Sequence, residues 1–282
     1  MKIILDSSCD LPEEHVKKYD IKIAPVSIIM DGKTYRDRFE VTAEEFYAVL
    51  REKRENLPTT SGTSPMEFYN CILDCTKSDN SVLVATISSK LSTTWQSANI
   101  AIKRFKDKSI HIIDSLSGSG ALGLLGLAAA KLCEKGEKDE EIIRKVNDIQ
   151  KKTVTMGYVD DLYNLQKSGR ISQFKYYLSN LLNAKPVMRV KDGFIVPLDK
   201  ARWKNKAIEK LIRHLFKAIK SINETDLDCM ITHSDDLETA EYIMNKLDSK
   251  LNFNEKIISF LTPALAVHLG IGTIVVSVAP SP

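Results

Sequence analysis

The sequence predicts an α/β protein of two domains: an N-terminal, mostly parallel sheet with flanking helices, and a C-terminal α+β domain with a mixed sheet. The first half alternates strand and helix patterns, which is typical of parallel sheets. In the second half, Asp192-Gly193 separates two strand patterns and predicts a β-hairpin. A chain of 282 residues is long enough for two cores. We predict domains at residues 1–155 and 156–282, with a boundary defined to within ten residues at best.

The N-terminal half supplies the predicted parallel sheet. Its predicted strands are residues 2–5, 21–30, 81–85 and 109–113. Its predicted helices begin after Pro12 and cover residues 42–53, 66–75, 95–105, a segment that ends near 134, and 140–151. Thr42 and Glu45 form a capping-box pattern at the start of the second helix. Residues 56–65 are predicted as a loop rich in hydroxyl side chains.

The C-terminal half mixes hairpins with helices. Its predicted strands are residues 153–158, 187–191, 194–198, 227–232, 256–260 and 273–278. Its predicted helices are residues 160–166, 203–220 and 237–249. Residues 262–272, which contain His268, are predicted as a glycine-containing loop between two strands, a position where ligands often bind.

The composition is that of an ordinary globular protein and does not indicate a nucleic-acid partner, because the formal charge is only +3. The longest apolar run, residues 121–130, is shorter than a membrane span of about 20 residues. No signal peptide is apparent, and five dispersed cysteines suit a cytoplasm that keeps thiols reduced. The basic segment at residues 200–220 is interpreted as a solvated helix face, so any membrane-surface contact is transient. No metal-ligand set or cofactor is expected.

A hydroxyl-rich segment, residues 86–97, organises the prediction of function. Seven of its twelve residues are Ser or Thr. The segment follows an apolar strand and leads into an amphipathic helix, so backbone N–H groups and hydroxyls converge at a helix N-terminus. Such a position favours an anion, although serines also serve as ordinary helix caps. The number of hydroxyls favours an anion-binding site.

Other motifs leave alternatives open. Gly118, Gly120 and Gly123 match the dinucleotide-binding fingerprint in spacing, but the acidic residue expected after a second strand is missing, which favours simple helix packing. Residues 6–10 and 114–115 place carboxylates after strands, where they serve as caps more often than as Mg²⁺ ligands or bases. A serine hydrolase that uses His268 remains an alternative, although no nucleophile-elbow motif is present.

Seven segments, taken in order, resemble the DegV family of bacterial fatty-acid-binding proteins over nearly the whole chain. They are residues 6–12, 60–61, 88–98, 114–115 with the small residues that follow, Lys-Ser-Gly-Arg-Ile at 167–171, Lys-Pro at 185–186, and Pro-Ala-Leu-Ala-Val-His at 263–268. The resemblance implies two α/β domains with one long-chain fatty acid between them. It also implies that the protein is a carrier and that a separate ATP-dependent fatty acid kinase, acting for phospholipid synthesis, performs the chemistry.

The resemblance assigns roles to individual residues. Thr60 and Ser92 match the family's carboxylate-binding Thr and Ser, with Ser61 and Thr93 beside them and His268 as a nearby partner. Arg170 matches the arginine that the family links to the kinase step.

The chain also departs from the family pattern at three places. It has Gly-Thr at 62–63 where Gln-Pro is usual, Thr-Thr-Trp at 93–95 where Gly-Thr-Tyr is usual, and Leu-Gly-Ile-Gly at 269–272 where Thr-Gly-Pro-Gly is usual. These departures bear on the shape of the acyl pocket more than on the carboxylate site, and they leave the preferred acyl chain undefined.

Overall fold

The computed structural model describes residues 1–52, 57–160, 162–170 and 184–282, so the predicted positions Lys53, Asn56, Asp161 and Ile171 lie outside it. The strands are β1 (Lys2–Asp6), β2 (Lys22–Ala24), β3 (Ser27–Met30), β4 (Lys33–Arg36), β5 (Thr59–Ser61), β6 (Ser81–Thr86), β7 (Ser109–Asp114), β8 (Val154–Tyr158), β9 (Lys185–Lys191), β10 (Phe194–Ala201), β11 (Leu227–His233), β12 (Phe253–Phe260) and β13 (Ile274–Pro280). The helices are α1 (Glu13–Lys18), α2 (Ala43–Glu52), α3 (Pro65–Cys75), α4 (Thr94–Ile102), α5 (Gly120–Glu134), α6 (Asp139–Lys152), α7 (Tyr163–Lys167), α8 (Lys204–Ile222), α9 (Leu237–Asp248) and α10 (Pro263–Leu269).

The first sheet has the order β2-β1-β6-β7, and all of its strand pairs are parallel. Its strands are apolar on both faces because helices cover both sides. Ile4 and Val84 face α3 and α4, whereas Leu5 and Leu83 face α5. This arrangement confirms the predicted parallel α/β sheet.

The second sheet has six strands in the order β10-β9-β8-β13-β11-β12. Its pairs are antiparallel except for the parallel pair of β11 and β12, so the sheet is mixed, as predicted. Asp192 and Gly193 form the turn between β9 and β10, and both residues have positive φ. The hairpin signal in the sequence therefore predicted the right connection.

A third, three-stranded antiparallel sheet, β4-β3-β5, was not predicted. The single strand expected at residues 21–30 is in fact two strands, β2 and β3, which belong to different sheets. Pro25 lies between them and has no N–H for a ladder hydrogen bond. The loop predicted at 56–65 contains β5, in which Thr60 pairs with Ile28 of β3. This small sheet brings Thr60 to the region between the two large sheets.

Helix α5 lies between the two large sheets and contacts strands of both. A Cβ atom on Gly123 would lie 2.6 Å from the carbonyl oxygen of Cys9, and one on Gly126 would lie 2.4 Å from Leu5 Cδ1. The glycine spacing therefore serves close packing of a buried helix, as the sequence analysis favoured over dinucleotide binding. One buried cluster joins Leu5 of the first sheet to Met230 of the second. The division near residue 155, where β8 begins, stays a prediction.

The segment around His268 is helical, and the prediction of a loop at residues 262–272 was wrong. Pro263 occupies the first turn of α10, where its fixed φ and missing N–H cost little. Gly270, at φ 80°, follows the last helical residue. The glycines that indicated a loop thus mark the end of a short helix, and His268 lies in its last turn.

Candidate functional site

Two adjoining cavities lie where the loops of the parallel sheet meet the six-stranded sheet. The first, called here the apolar cavity, extends over β8, β9 and β13, and its walls are almost entirely apolar. The second, called the hydroxyl cavity, is lined by Thr60, Ser92, Arg170 and His268 together with apolar neighbours. Both cavities share the side chains of Ile87, Leu91, Ile195, Leu265 and Leu269. A cavity with a few polar side chains thus lies beside an apolar one, and the same five side chains border both.

The hydroxyl cavity is assembled from segments that are far apart in the chain. Thr60 Oγ1 lies 2.7 Å from His268 Nε2, which joins β5 to α10 across 208 residues. On the other wall, Ser92 Oγ lies 2.8 Å from Thr94 Oγ1, and it also accepts the backbone N–H of Thr94 at 3.3 Å. Thr60 and Ser92 are partly accessible, so a ligand in the cavity can reach both hydroxyls.

His268 is a neutral imidazole at physiological pH. Burial, helped by the positive charge of Arg170, lowers the pKa of His268 to about 3. Its Nδ1 is buried and has no hydrogen-bond partner in the described part of the chain. Because the ring is uncharged, it carries one N–H donor and one acceptor nitrogen rather than a positive charge, and Nε2 is the nitrogen that it turns toward Thr60.

Arg170 is the only Lys or Arg among the described residues that line the hydroxyl cavity. Its Nη1 donates to the carbonyl oxygen of Ser168 at 2.6 Å, just after α7. Burial lowers the pKa of Arg170, but a guanidinium remains charged in any protein environment of this kind. The cavity therefore combines neutral hydroxyls with one positive charge.

Gly62 allows β5 to approach the hydroxyl-rich segment closely. A Cβ atom at this position would lie 2.9 Å from Thr94 Oγ1, 3.0 Å from Thr93 Oγ1 and 3.1 Å from Ser92 Oγ. Any larger residue would push these hydroxyls away. Gly62 is one of the departures from the family pattern, and here it sets the spacing between the two walls of the cavity.

The structure brings together four of the six predicted site residues: Thr60, Ser92, Arg170 and His268. The side chains of Ser61 and Thr93 are exposed and do not line either cavity. In β5, successive residues point to opposite faces, which explains why Thr60 faces the cavity and Ser61 does not. The participation of Ser61 and Thr93 in ligand binding stays a prediction.

The other hydroxyls of the segment organise loops. Ser88 Oγ donates to the carbonyl oxygen of Gly193 at 2.9 Å and so ties the segment to the β9–β10 turn. The carboxylate of Asp114 accepts the backbone N–H of Ser89 at 3.2 Å, and the carboxylate of Asp6 accepts that of Ile87 at 2.6 Å. The carboxylates that follow β1 and β7 thus hold backbone amides of the segment, in line with the capping role that was favoured.

Three carboxyl groups beneath the site are completely buried. Burial raises the pKa of Asp6 to about 6 and the pKa values of Asp10 and Asp37 to about 7. Ser119 Oγ donates to Asp10 Oδ2 at 2.7 Å, and Ser7 Oγ donates to Asp37 Oδ2 at 2.5 Å. Asp37 could not be predicted from the sequence, because nothing local distinguishes it from a surface aspartate.

Within the described residues, no group of three or more His, Cys, Asp or Glu side chains is placed to hold a metal ion. Of the helices that the structure describes, none combines the length and apolar character needed to cross a bilayer.

A family model described as "Uncharacterised protein, DegV family" matches residues 1–281. The chain belongs to the DegV family. A DegV domain-containing protein of Caldanaerobacter subterraneus is 33% identical over 268 residues, which are 95% of this chain and 94% of that protein. The resemblance noted in the sequence is thereby confirmed.

Solved structures of two similar proteins share the fold almost completely. A structure that describes fatty-acid binding by a DegV family protein from Thermus thermophilus superimposes with a TM-score of 0.92 at 27% identity and covers 99% of both chains. A stearic-acid-binding protein from Eubacterium ventriosum gives a TM-score of 0.90 at 25% identity and covers 99% of this chain and 98% of that one. Both of these solved proteins are described as binding a fatty acid.

Proposed function

We propose that this DegV protein binds one long-chain fatty acid, with the carboxylate in the hydroxyl cavity and the acyl tail in the apolar cavity. The observation that carries this proposal is that an apolar cavity and a cavity with hydroxyl, imidazole and guanidinium groups adjoin and share five apolar side chains. A ligand that fits must be polar at one end and apolar over the rest of its length. Fatty-acid binding by DegV proteins of the same fold supports the same conclusion.

The head-group site meets the requirements of a carboxylate. An anion taken from water into a protein needs hydrogen-bond donors for its oxygens. Thr60 and Ser92 supply hydroxyl donors, and Arg170 supplies the positive charge. In the tautomer with its proton on Nε2, His268 donates to Thr60 Oγ1 and leaves the hydroxyl hydrogen of Thr60 free for the carboxylate. The tail gains about 0.8 kcal/mol for each CH₂ group that the apolar cavity removes from water.

We further propose that the protein presents the bound carboxylate to a separate ATP-dependent fatty acid kinase in the cytoplasm, for phospholipid synthesis. Hydroxyl donors leave a carboxylate oxygen able to attack a phosphoryl group. Arg170 lies beside the cavity and directly after α7, so it is suited to act at the phosphoryl-transfer step as well as at the carboxylate. No cofactor of its own is required for this role.

Mass spectrometry of the purified protein under denaturing conditions tests the binding proposal. We expect a co-purified fatty acid, or uptake of added palmitate by delipidated protein with one equivalent bound. A protein that contains no lipid and takes up none would overturn the proposal. The mass of the released lipid would give the length and saturation of its acyl chain.

A further inference from the structure

Helix α10 forms a large part of the hydroxyl cavity. Four of its seven residues line that cavity: Ala264, Leu265, His268 and Leu269. Seven residues are too few for a helix to be stable by itself. The orientation of the imidazole of His268 therefore depends on the contacts by which other elements hold α10 in place.

Asn164 of α7 holds the last turn of α10. Its Nδ2 donates to the carbonyl oxygen of Val267 at 2.9 Å. The last carbonyl groups of a helix have no partner within the helix, so this one must be satisfied from outside. The carbonyl belongs to the peptide unit that joins Val267 to His268, and the hydrogen bond therefore fixes the backbone directly before the imidazole. Asn164 itself lines neither the hydroxyl cavity nor the apolar cavity, so it acts on a ligand there only through other residues.

The backbone of Asn164 is also connected to Arg170. The carbonyl oxygen of Asn164 accepts the backbone N–H of Ser168 at 3.0 Å, and the carbonyl oxygen of Ser168 accepts Arg170 Nη1 at 2.6 Å. On the far side of α10, His268 Nε2 lies 2.7 Å from Thr60 Oγ1. A continuous series of hydrogen bonds and peptide units thus joins Arg170 to His268 by way of Asn164.

Apolar packing holds α7 against α10 independently of this hydrogen bond. Leu165 of α7 is completely buried, and Leu269 of α10 packs against the apolar cluster that contains it. The neighbouring side chain of Asn164 is only half-buried. A variant without the amide group should therefore keep the contact between the two helices and lose the hydrogen bond that orients the peptide unit before His268.

We infer that Asn164 is a positioning residue, whose hydrogen bond to α10 keeps His268 Nε2 within hydrogen-bond distance of Thr60 Oγ1. Because the backbone of the same residue holds the turn before Arg170, Asn164 also sets the position of the guanidinium relative to the imidazole. This inference deepens the proposed function and rests on it, because its binding readout assumes that the hydroxyl cavity holds a carboxylate.

The experiment compares palmitate binding by the wild-type protein, Asn164→Ala, Asn164→Leu and a matched control, Gln166→Ala. Leucine keeps the branched shape of asparagine but has no N–H donor. Gln166 carries an exposed amide on the same helix and lines neither cavity. We expect both Asn164 variants to bind about fivefold more weakly, the equivalent of one ordinary hydrogen bond, and Gln166→Ala to bind as the wild type does. Wild-type affinity in both Asn164 variants would overturn the inference.

A double-variant cycle shows whether Asn164 acts through His268. If it does, adding Asn164→Leu to His268→Ala should weaken binding by no more than about twofold beyond His268→Ala alone. A second loss as large as the one seen in the wild-type background would mean that Asn164 acts on the fold elsewhere, and its positioning role would be refuted.

A measurement without ligand separates this inference from the proposed function. In protein labelled with ¹⁵N-histidine, the Nε2 resonance of His268 should shift in Asn164→Ala and Asn164→Leu, because the hydrogen bond to Thr60 changes, and should stay unchanged in Gln166→Ala. If the wild-type protein bound no fatty acid but this shift appeared, the proposed function would fail and the positioning role would stand. If the wild-type protein bound palmitate but the resonance stayed unchanged in the Asn164 variants, the positioning role would fail and the proposed function would stand. Asn164→Leu, which keeps the side-chain volume, decides the matter if Asn164→Ala does not fold.

Discussion

Replacing Thr60 with valine removes one hydroxyl from the head-group site and leaves its shape almost unchanged. In the wild-type protein, Thr60 Oγ1 lies 2.7 Å from His268 Nε2 and faces the cavity beside Ser92. A hydrogen bond to a charged group contributes about 1.5–3 kcal/mol. We therefore expect Thr60→Val to bind palmitate between about tenfold and about a hundredfold more weakly.

The same substitution should also lower the stability of the unliganded protein. His268 Nδ1 already lacks a partner, and Thr60→Val would leave Nε2 without one as well. An unsatisfied buried polar atom costs about 1–3 kcal/mol, unless a water takes the place of the hydroxyl. For a chain of this size we expect the melting temperature of delipidated protein to fall by about 2–6 °C, since 1 kcal/mol corresponds to about 2 °C or slightly more.

The assay is calorimetric titration of delipidated protein with palmitate and, separately, with its methyl ester, which carries no negative charge. Thr59→Val is the matched control, because Thr59 is the exposed neighbour of Thr60 in β5 and lies outside the cavity. We expect the loss in Thr60→Val to be larger for the acid than for the ester, and no loss in Thr59→Val. Equal affinities of the two variants for palmitate, or equal losses for acid and ester, would refute a carboxylate site at Thr60.

Three further predictions concern spacing, protonation and the partner kinase. Gly62→Ala should weaken palmitate binding several-fold by calorimetry, because its Cβ would lie 2.9 Å from Thr94 Oγ1, whereas Thr59→Ala, at an exposed residue of β5 outside the cavity, should not; identical affinities would show that this spacing is unimportant. Burial raises the pKa of Asp37 from 3.8 to about 7. Between about pH 4 and pH 7, Asp37 is therefore protonated in the folded protein and ionised in the unfolded chain. The stabilisation by this proton is complete below about pH 4 and is lost as the pH rises through about 7. In urea unfolding, the wild type should therefore lose stability relative to Asp37→Asn by about 1.4 kcal/mol per pH unit across this window, and a constant difference would contradict the raised pKa of Asp37. Arg170→Ala should change the affinity for palmitate by less than about tenfold but abolish its ATP-dependent phosphorylation by the kinase; loss of both to the same extent would make Arg170 a structural residue.

The sequence predicted the large elements well because their signals are local. The buried strands β1 and β6, the edge strand β7, the long helix α8 and the β9–β10 hairpin all have runs or turns that identify them without knowledge of their partners. Strand β5 consists of only three residues, all of them polar, and it forms a strand because it pairs with β3. Helix α10 has a proline start and a glycine end, but its seven residues depend on partners supplied by other segments.

In the candidate site, too, some residues could be predicted from the sequence and others could not. Thr60, Ser92, Arg170 and His268 could be named from the family resemblance, and the structure brings them to one cavity. Asp37 could not be named, because its complete burial and its hydrogen bond from Ser7 arise only when the chain folds. Long-range hydrogen bonds of this kind leave no periodic pattern in the sequence.

The electrostatics of the site favour a carrier over the hydrolase that remained an alternative. The contact between Thr60 and His268 has the length of a nucleophile–base hydrogen bond. A general base, however, works best with a pKa near the operating pH, and burial lowers the pKa of His268 to about 3. In the described residues, Nδ1 also has no carboxylate to orient the ring and stabilise an imidazolium. An imidazole that resists protonation is a poor base for activating a hydroxyl, but it is a good neutral hydrogen-bond partner for the hydroxyl of Thr60.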